Sequence, residues 1–309
     1  MVAAKSSCSM SRPVRLTAVL VAAAAAAADT LVDEQLCQVY YTGRGNCTAL
    51  RDATSSRRAG PLQALTLGAQ SAPALVFLHG WPSTAALFAN QFEWFCLDGR
   101  FFCVAPSWID FHPDLAEADV SLHHWDAQVD AFAAALSALG LDRFVLVAHD
   151  FGAVLAYQFA YRFPQRVQML VTLDVGNDPT GNGTALSTEA TLSQLPSYQQ
   201  RNIEAYVEGN DAAMQRHVDS MGALFGPCAL HRCIIAPGQT AGIGARTGWP
   251  YHVISRTDVH WQERLAPGVA PSAWEFRLTP TFPPQVPLLY LWGSGLFHSQ
   301  VLFAFFSHW

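Results

Sequence analysis

Three short apolar runs in this chain end in a polar residue, each at its C-terminal end. "PALVFLHG" (residues 73–80) ends at His79, "FVLVAHD" (144–150) at Asp150 and "VQMLVTLD" (167–174) at Asp174. Runs this short and this evenly apolar suit strands buried on both faces. Amphipathic stretches separate them. Trp125, Val129, Phe132, Ala133, Leu136 and Leu139 recur at helical spacing, and "GAVLAYQFAYRF" (152–163) is a second helix, stopped before Pro164. Further strands are expected at 62–69 ("LQALTLGA"), 101–106 ("FFCVAP") and 286–293 ("VPLLYLWG"). This alternation predicts an α/β fold with a mostly parallel sheet and helices on both faces. Right-handed crossovers gather the strand C-termini at one edge, where such sheets bind ligands. His79, Asp150 and Asp174 then converge on one place.

The rest of the chain reads differently. Residues 29–60 carry turn-rich punctuation, "YYTGRG" (40–45) and "SSRRAG" (55–60). Beyond residue 174, Gly, Pro, Trp and Tyr become frequent. Residues 195–225 look helical, whereas "GWPYHVISR" (248–256) does not. The expected organisation is a core over 29–176, an insertion over the sheet edge at 177–285, and a last strand with a short tail at 286–309. Only residues 294–309 follow that strand, so the core is expected to be shortened at its C-terminal end.

The N-terminus reads as a signal peptide over 1–28. Lys5, Arg12 and Arg15 precede an apolar run at 16–28 that is short for a bilayer span, and Ala26 and Ala28 suit a cleavage site before Asp29. Secretion, or delivery to an endomembrane lumen, is the expectation, with no membrane span in the mature chain. Cys8 would leave with the signal. The six remaining cysteines fall into near pairs, Cys37/Cys47, Cys96/Cys103 and Cys228/Cys233, as an oxidising compartment favours. Six cysteines allow 15 connectivities. Asn46 and Asn182 stand in N-glycosylation tripeptides, the first in competition with a disulfide at Cys47. A net charge of −6 argues against a nucleic-acid partner.

Asp150 holds the most chemical information. A strand that turns at once into a helix passes close to itself, and Ala148 and Gly152, two residues to either side, leave room for that turn. The side chain between them is pushed outward beside a helix N-terminus, which favours negative charge. A carboxylate presented there can attack an electrophilic carbon and form an ester. The competing structural role is a helix N-cap, for which aspartate is well suited.

"HGWP" (79–82) followed by "AHDFGA" (148–153) resembles the α/β-hydrolase fold, in the epoxide hydrolase and haloalkane dehalogenase branch whose nucleophile is an aspartate. The resemblance covers residues 62–174 and returns more weakly at 286–309. It implies Asp150 as nucleophile, the backbone N–H groups of Trp81 and Phe151 as oxyanion hole, and His79 as support for that loop. It implies Asp174 as the acid that orients the base, because the later family position, in "WGSGLFHS", has no carboxylate. It implies a late histidine followed by an aromatic residue as base, which is His308 before Trp309, with His298 as alternative. No metal and no organic cofactor is required.

The leaving group separates two reactions. A dehalogenase holds halide with N–H donors, typically a Trp directly after the nucleophile, and Phe151 cannot donate from its side chain. An epoxide needs acidic hydroxyls at its oxygen, which the family supplies from cap tyrosines. Tyr198, Tyr206 and Tyr251 are candidates, with Tyr251 preferred. The expected substrate is a small apolar epoxide. A haloalkane or haloacid is the second possibility, and a non-catalytic fold binding an apolar ligand the third.

Overall fold

The computed structural model describes residues 47–112, 115, 117–173, 197–224, 244–257 and 286–291, together with residues 32 and 35–37. Among the described residues seven strands form one sheet: β1 (Ser55–Ala59), β2 (Leu62–Leu67), β3 (Ala74–Leu78), β4 (Phe102–Pro106), β5 (Phe144–His149), β6 (Val167–Leu173) and β7 (Leu288–Leu291). Their spatial order is β1-β2-β4-β3-β5-β6-β7. From β4 to β7 all pairs are parallel, whereas β1–β2 and β2–β4 are antiparallel.

The parallel strands form where the apolar runs lie. β4 is buried along its whole length, and three of five side chains in β3 are near-completely buried valine, phenylalanine and leucine. Two apolar layers sandwich the sheet. One packs Phe132, Leu136, Leu155 and Phe159, from α3 (Trp125–Ala138) and α4 (Phe151–Arg162), against Val76, Val104 and Leu146. The other packs Leu50 of α1 (Cys47–Ala53) and Phe92 of α2 (Ala89–Cys96) against Leu65, Phe77 and Ala105. From β3 the chain crosses to β4 on one side, then returns past it to β5 on the other. Ligands bind at such a reversal of strand order, and here it lies beside the C-terminal ends of β3 and β5.

Two segments differ from the sequence reading. "SSRRA" forms β1 instead of a turn. As an antiparallel edge strand it has one neighbour and leaves most of its side chains exposed, so polar and basic residues serve it well. "GWPYHVISR" enters α7 (Trp249–Thr257) instead of remaining irregular. Pro250 occupies the second helical position, where its missing N–H leaves no intrahelical bond unmade. The long helical stretch divides into α5 (Ser197–Glu208) and α6 (Asp211–Leu224) at Gly209, whose φ of 61° ends the first helix.

Among the described residues two disulfides are present, Cys37–Cys47 and Cys96–Cys103. Cys228 and Cys233 lie outside the described residues, as do residues 1–28, Asn46 and Asn182. Among the described residues no helix is long and apolar enough to cross a membrane.

Candidate active site

At the end of β5 the backbone turns within one residue. Asp150 has φ 55° and ψ −131°, a positive-φ conformation outside the left-handed helical well and strained for any residue that carries a Cβ. Its N–H still reaches β6, donating to Leu173 O at 3.3 Å, and its carbonyl accepts from Ala153 N at 2.8 Å to begin α4. Asp150 therefore stands at the N-cap position, yet its side chain makes no capping bond. The carboxylate points elsewhere: Oδ1 accepts from the backbone N–H of Trp81 at 2.9 Å.

Two glycines permit this. A Cβ on Gly152 would lie 2.3 Å from Leu78 O and 2.6 Å from His79 O, so only glycine lets α4 start against the β3 backbone. A Cβ on Gly80 would lie 2.3 Å from both Cβ and Oδ1 of Asp150. The loop after β3 thus presses against the carboxylate.

His79 braces that loop from below. It is fully buried, with Nδ1 3.0 Å from Gly80 O, the geometry of a ring N–H donating to that carbonyl. Trp108 and Phe111 flank its ring at 5.6 and 5.5 Å. Burial, joined by the nearby His149, brings the imidazole down from 6.5 to about 4 against the opposing backbone bonds, so His79 is neutral at physiological pH. The Trp81–Pro82 peptide is cis, and Ser83 N donates to Gly80 O at 2.9 Å to close the turn.

Helices α5, α6 and α7 contribute the facing wall. Tyr251, 6% exposed, sets its ring edge-on to Trp81 at 5.2 Å and to Phe151 at 4.8 Å. His217 of α6 stacks on Trp81 at 6.3 Å. Trp249 is fully buried against Trp108 and Trp125, and Trp125 in turn touches Phe151 at 6.0 Å. The indole N–H of Trp81 has no partner among the described residues. The structure therefore brings together Asp150, Trp81, Phe151, His79 and Tyr251. Asp174, His308 and His298 lie outside the described residues, as does the side chain of Tyr198. The strand that leads to Asp174 is in place, with Leu173 in register with His149.

A second buried polar group escaped the sequence reading. His123 Nε2 is 2.6 Å from Asp110 Oδ2, and its Nδ1 is 2.9 Å from the Tyr206 hydroxyl. Arg246 reaches Asp110 at 3.6 Å and Glu117 at 2.7 Å. Burial pushes the Asp110 carboxyl up, but the bonds from His123 and Ala118 N–H and the charge of Arg246 outweigh it, so its pKa falls below the ordinary value. Tyr206 is thereby committed to His123. These residues clasp the loop after β4 to α5 and to the turn before α7. A cleft of about 450 Å³ beside them is walled by Asp110, Glu117, Asp211 and Arg246, and not by Asp150. No motif signals this group, because its members are scattered from residue 110 to residue 246. Among the described residues no cluster of His, Cys, Asp and Glu is arranged to hold a metal.

Comparison with known proteins bears on the fold that carries this site. The chain is 30% identical over 118 residues to mouse epoxide hydrolase 3, a stretch covering 38% of this chain and 31% of the mouse protein. It is 34% identical over 106 residues to a haloalkane dehalogenase of Mesorhizobium japonicum, covering 34% of this chain and 32% of that one. The matched part thus spans about a third of the length of these curated relatives. The crystal structure of a Vigna radiata epoxide hydrolase superposes with a TM-score of 0.56 at 17% identity, over 81% of this chain and 85% of that one. Residues 73–222 match the alpha/beta hydrolase fold family. The chain has an α/β-hydrolase fold, and epoxide hydrolases and haloalkane dehalogenases are among the proteins it resembles.

Proposed function

We propose that the chain is an epoxide hydrolase, and one observation carries the reading. The Asp150 carboxylate stands at the strand–helix bend with Oδ1 held by Trp81 N–H, facing the ring of Tyr251 across Trp81 and Phe151. Oδ2 attacks an epoxide carbon, and the carbon–oxygen bond of the ring breaks. Tyr251, as the acidic hydroxyl of an overlying cap, delivers a proton to the departing alkoxide. The resulting ester keeps Oδ1 as its carbonyl oxygen. Water then adds to Cγ, negative charge develops on Oδ1, and the N–H groups of Trp81 and Phe151 stabilise it. Collapse breaks the bond from Cγ to the alkyl oxygen and releases a diol. His308 oriented by Asp174 is the proposed base for this step, with His298 the alternative. The proposed boundaries remain a cap at 177–285 set into a core at 29–176 and 286–309, in a chain secreted or delivered to an endomembrane lumen.

A single turnover of an aryl epoxide such as styrene oxide in ¹⁸O-water tests the route. The label is expected in the Asp150 carboxylate, while the first diol carries an unlabelled Asp150 oxygen. A labelled diol with unlabelled protein defeats the covalent mechanism.

Dehalogenation is the second reading. It is favoured by the Trp81 indole N–H, which has no partner among the described residues, and by the Mesorhizobium relative. Halide release from a panel of short haloalkanes, measured against diol formation from epoxides, distinguishes the two.

A further inference from the structure

The segment around Gln35 belongs to no motif, yet it touches the loop that carries Trp81. Thr84 Oγ1 donates to Gln35 Oε1 at 2.6 Å, with the two residues 3% and 2% exposed. Thr84 occupies the N-cap position of the 3₁₀ turn Ala85–Phe88, where a threonine hydroxyl commonly accepts from its own turn, but it makes no such bond. Its carbonyl accepts from Leu87 N at 3.0 Å. One residue earlier, Ser83 N closes the turn that presents the Trp81 N–H. Thr84 therefore lies at the junction of both turns.

The Gln35 segment is itself anchored. Leu36, 1% exposed, packs in the cluster formed by Phe77, Ala85, Ala86, Phe88 and Phe92, which includes the side chains of that same 3₁₀ turn. Cys37 is bonded to Cys47, the first residue of α1, and Leu50 of α1 enters the same cluster. A buried polar pair is no better at filling space than an apolar pair, but its directionality fixes position.

We propose that Gln35 is a positioning residue for the oxyanion-hole loop, acting through Thr84, and that the Cys37–Cys47 disulfide keeps it there. The proposal rests on Trp81 N–H stabilising charge on the Asp150 ester. Loss of the bond lets the 80–84 turn move relative to Asp150, which lowers turnover more than substrate binding.

Hydrogen–deuterium exchange and steady-state kinetics on styrene oxide, both with the full chain, test it. Thr84→Val, Gln35→Ala and the double variant Cys37→Ser/Cys47→Ser are expected to speed exchange of the amides of Trp81, Ser83 and Thr84 while amides 144–162 stay as in wild type. In the same variants kcat should fall about 10- to 100-fold with KM within about twofold, the scale of a small misplacement of a reacting group. Thr84→Ser, which keeps the hydroxyl, should recover both properties. Unchanged exchange at those three amides in Thr84→Val and Gln35→Ala overturns the proposal, as does faster exchange with kcat intact. If the wild-type chain turns over no epoxide, the reading of function fails while the exchange arm still decides whether Gln35 holds the loop.

Discussion

Trp81 and Asp150, 69 positions apart in sequence, meet through one hydrogen bond of 2.9 Å from a backbone N–H to a carboxylate oxygen. The two glycines that bring them together fail in different ways. In Gly80→Ala the new methyl lies 2.3 Å from the Asp150 Cβ, which no side-chain rotation moves, so the loop after β3 must shift away from Asp150 and the carboxylate loses its place against Trp81. A kcat loss of about 100-fold is expected, together with a stability loss of about 1–3 kcal/mol. In Gly152→Ala the methyl meets two backbone carbonyls, which cannot rotate away. That variant should lose stability by about 1–3 kcal/mol, read by urea denaturation.

Tyr251→Phe retains the edge-on packing against Trp81 and Phe151 and removes only the hydroxyl. If Tyr251 protonates the leaving oxygen, kcat on an epoxide falls by about 10²- to 10⁴-fold. The melting temperature should change little. Tyr206→Phe, which loses its bond to His123, should change stability more than rate. Similar kinetics for the two variants would count against Tyr251 as the acid.

Acid sensitivity should begin well above the carboxylate range. His79 binds its proton at about 4 in the folded protein and at 6.5 when exposed, so between those values the unfolded chain takes up more protons. Stability is expected to fall as pH drops from 6.5 to 4, by a total on the order of 3 kcal/mol from this group. His79→Gln should flatten that slope in urea titrations at pH 7, 5.5 and 4.5. Asp110, with its pKa depressed, adds a separate loss only at lower pH, below its ordinary value of 3.8.

The clasp between the loop after β4 and the overlying helices should behave as a coupled unit. His123→Leu removes the 2.6 Å bond from the 3%-exposed Asp110 side chain and leaves it Arg246 at 3.6 Å. A cost of about 3 kcal/mol is expected, and Asp110→Asn in the same chain should recover part of it. Additive effects in that double-mutant cycle would show that the two residues are not coupled.

What could be read from the sequence was local. The runs ending at His79 and Asp150 announce strands because burial on both faces demands unbroken apolar residues, and the bend at Asp150 is written within five positions. β1 was not legible, since an edge strand with polar side chains has no pattern to show. Helix α7 was not legible either. Its tryptophan, proline and tyrosine suggest a turn, and only packing of Trp249 against Trp108 and Trp125 makes the helix favourable. The bonds of His123 to Tyr206 and of Thr84 to Gln35 join segments 83 and 49 positions apart, beyond any local window.

The positive-φ backbone at Asp150 has a consequence for anyone selecting stable variants of this protein. A glycine there would relieve the strain of a positive φ, worth about 1 kcal/mol or more, and would remove the carboxylate. A screen scored on thermal tolerance alone would therefore favour Asp150→Gly and enrich for chains that endure and do nothing. Library work on this fold needs turnover in the selection, because the residue that makes it a candidate catalyst is one that stability by itself would discard.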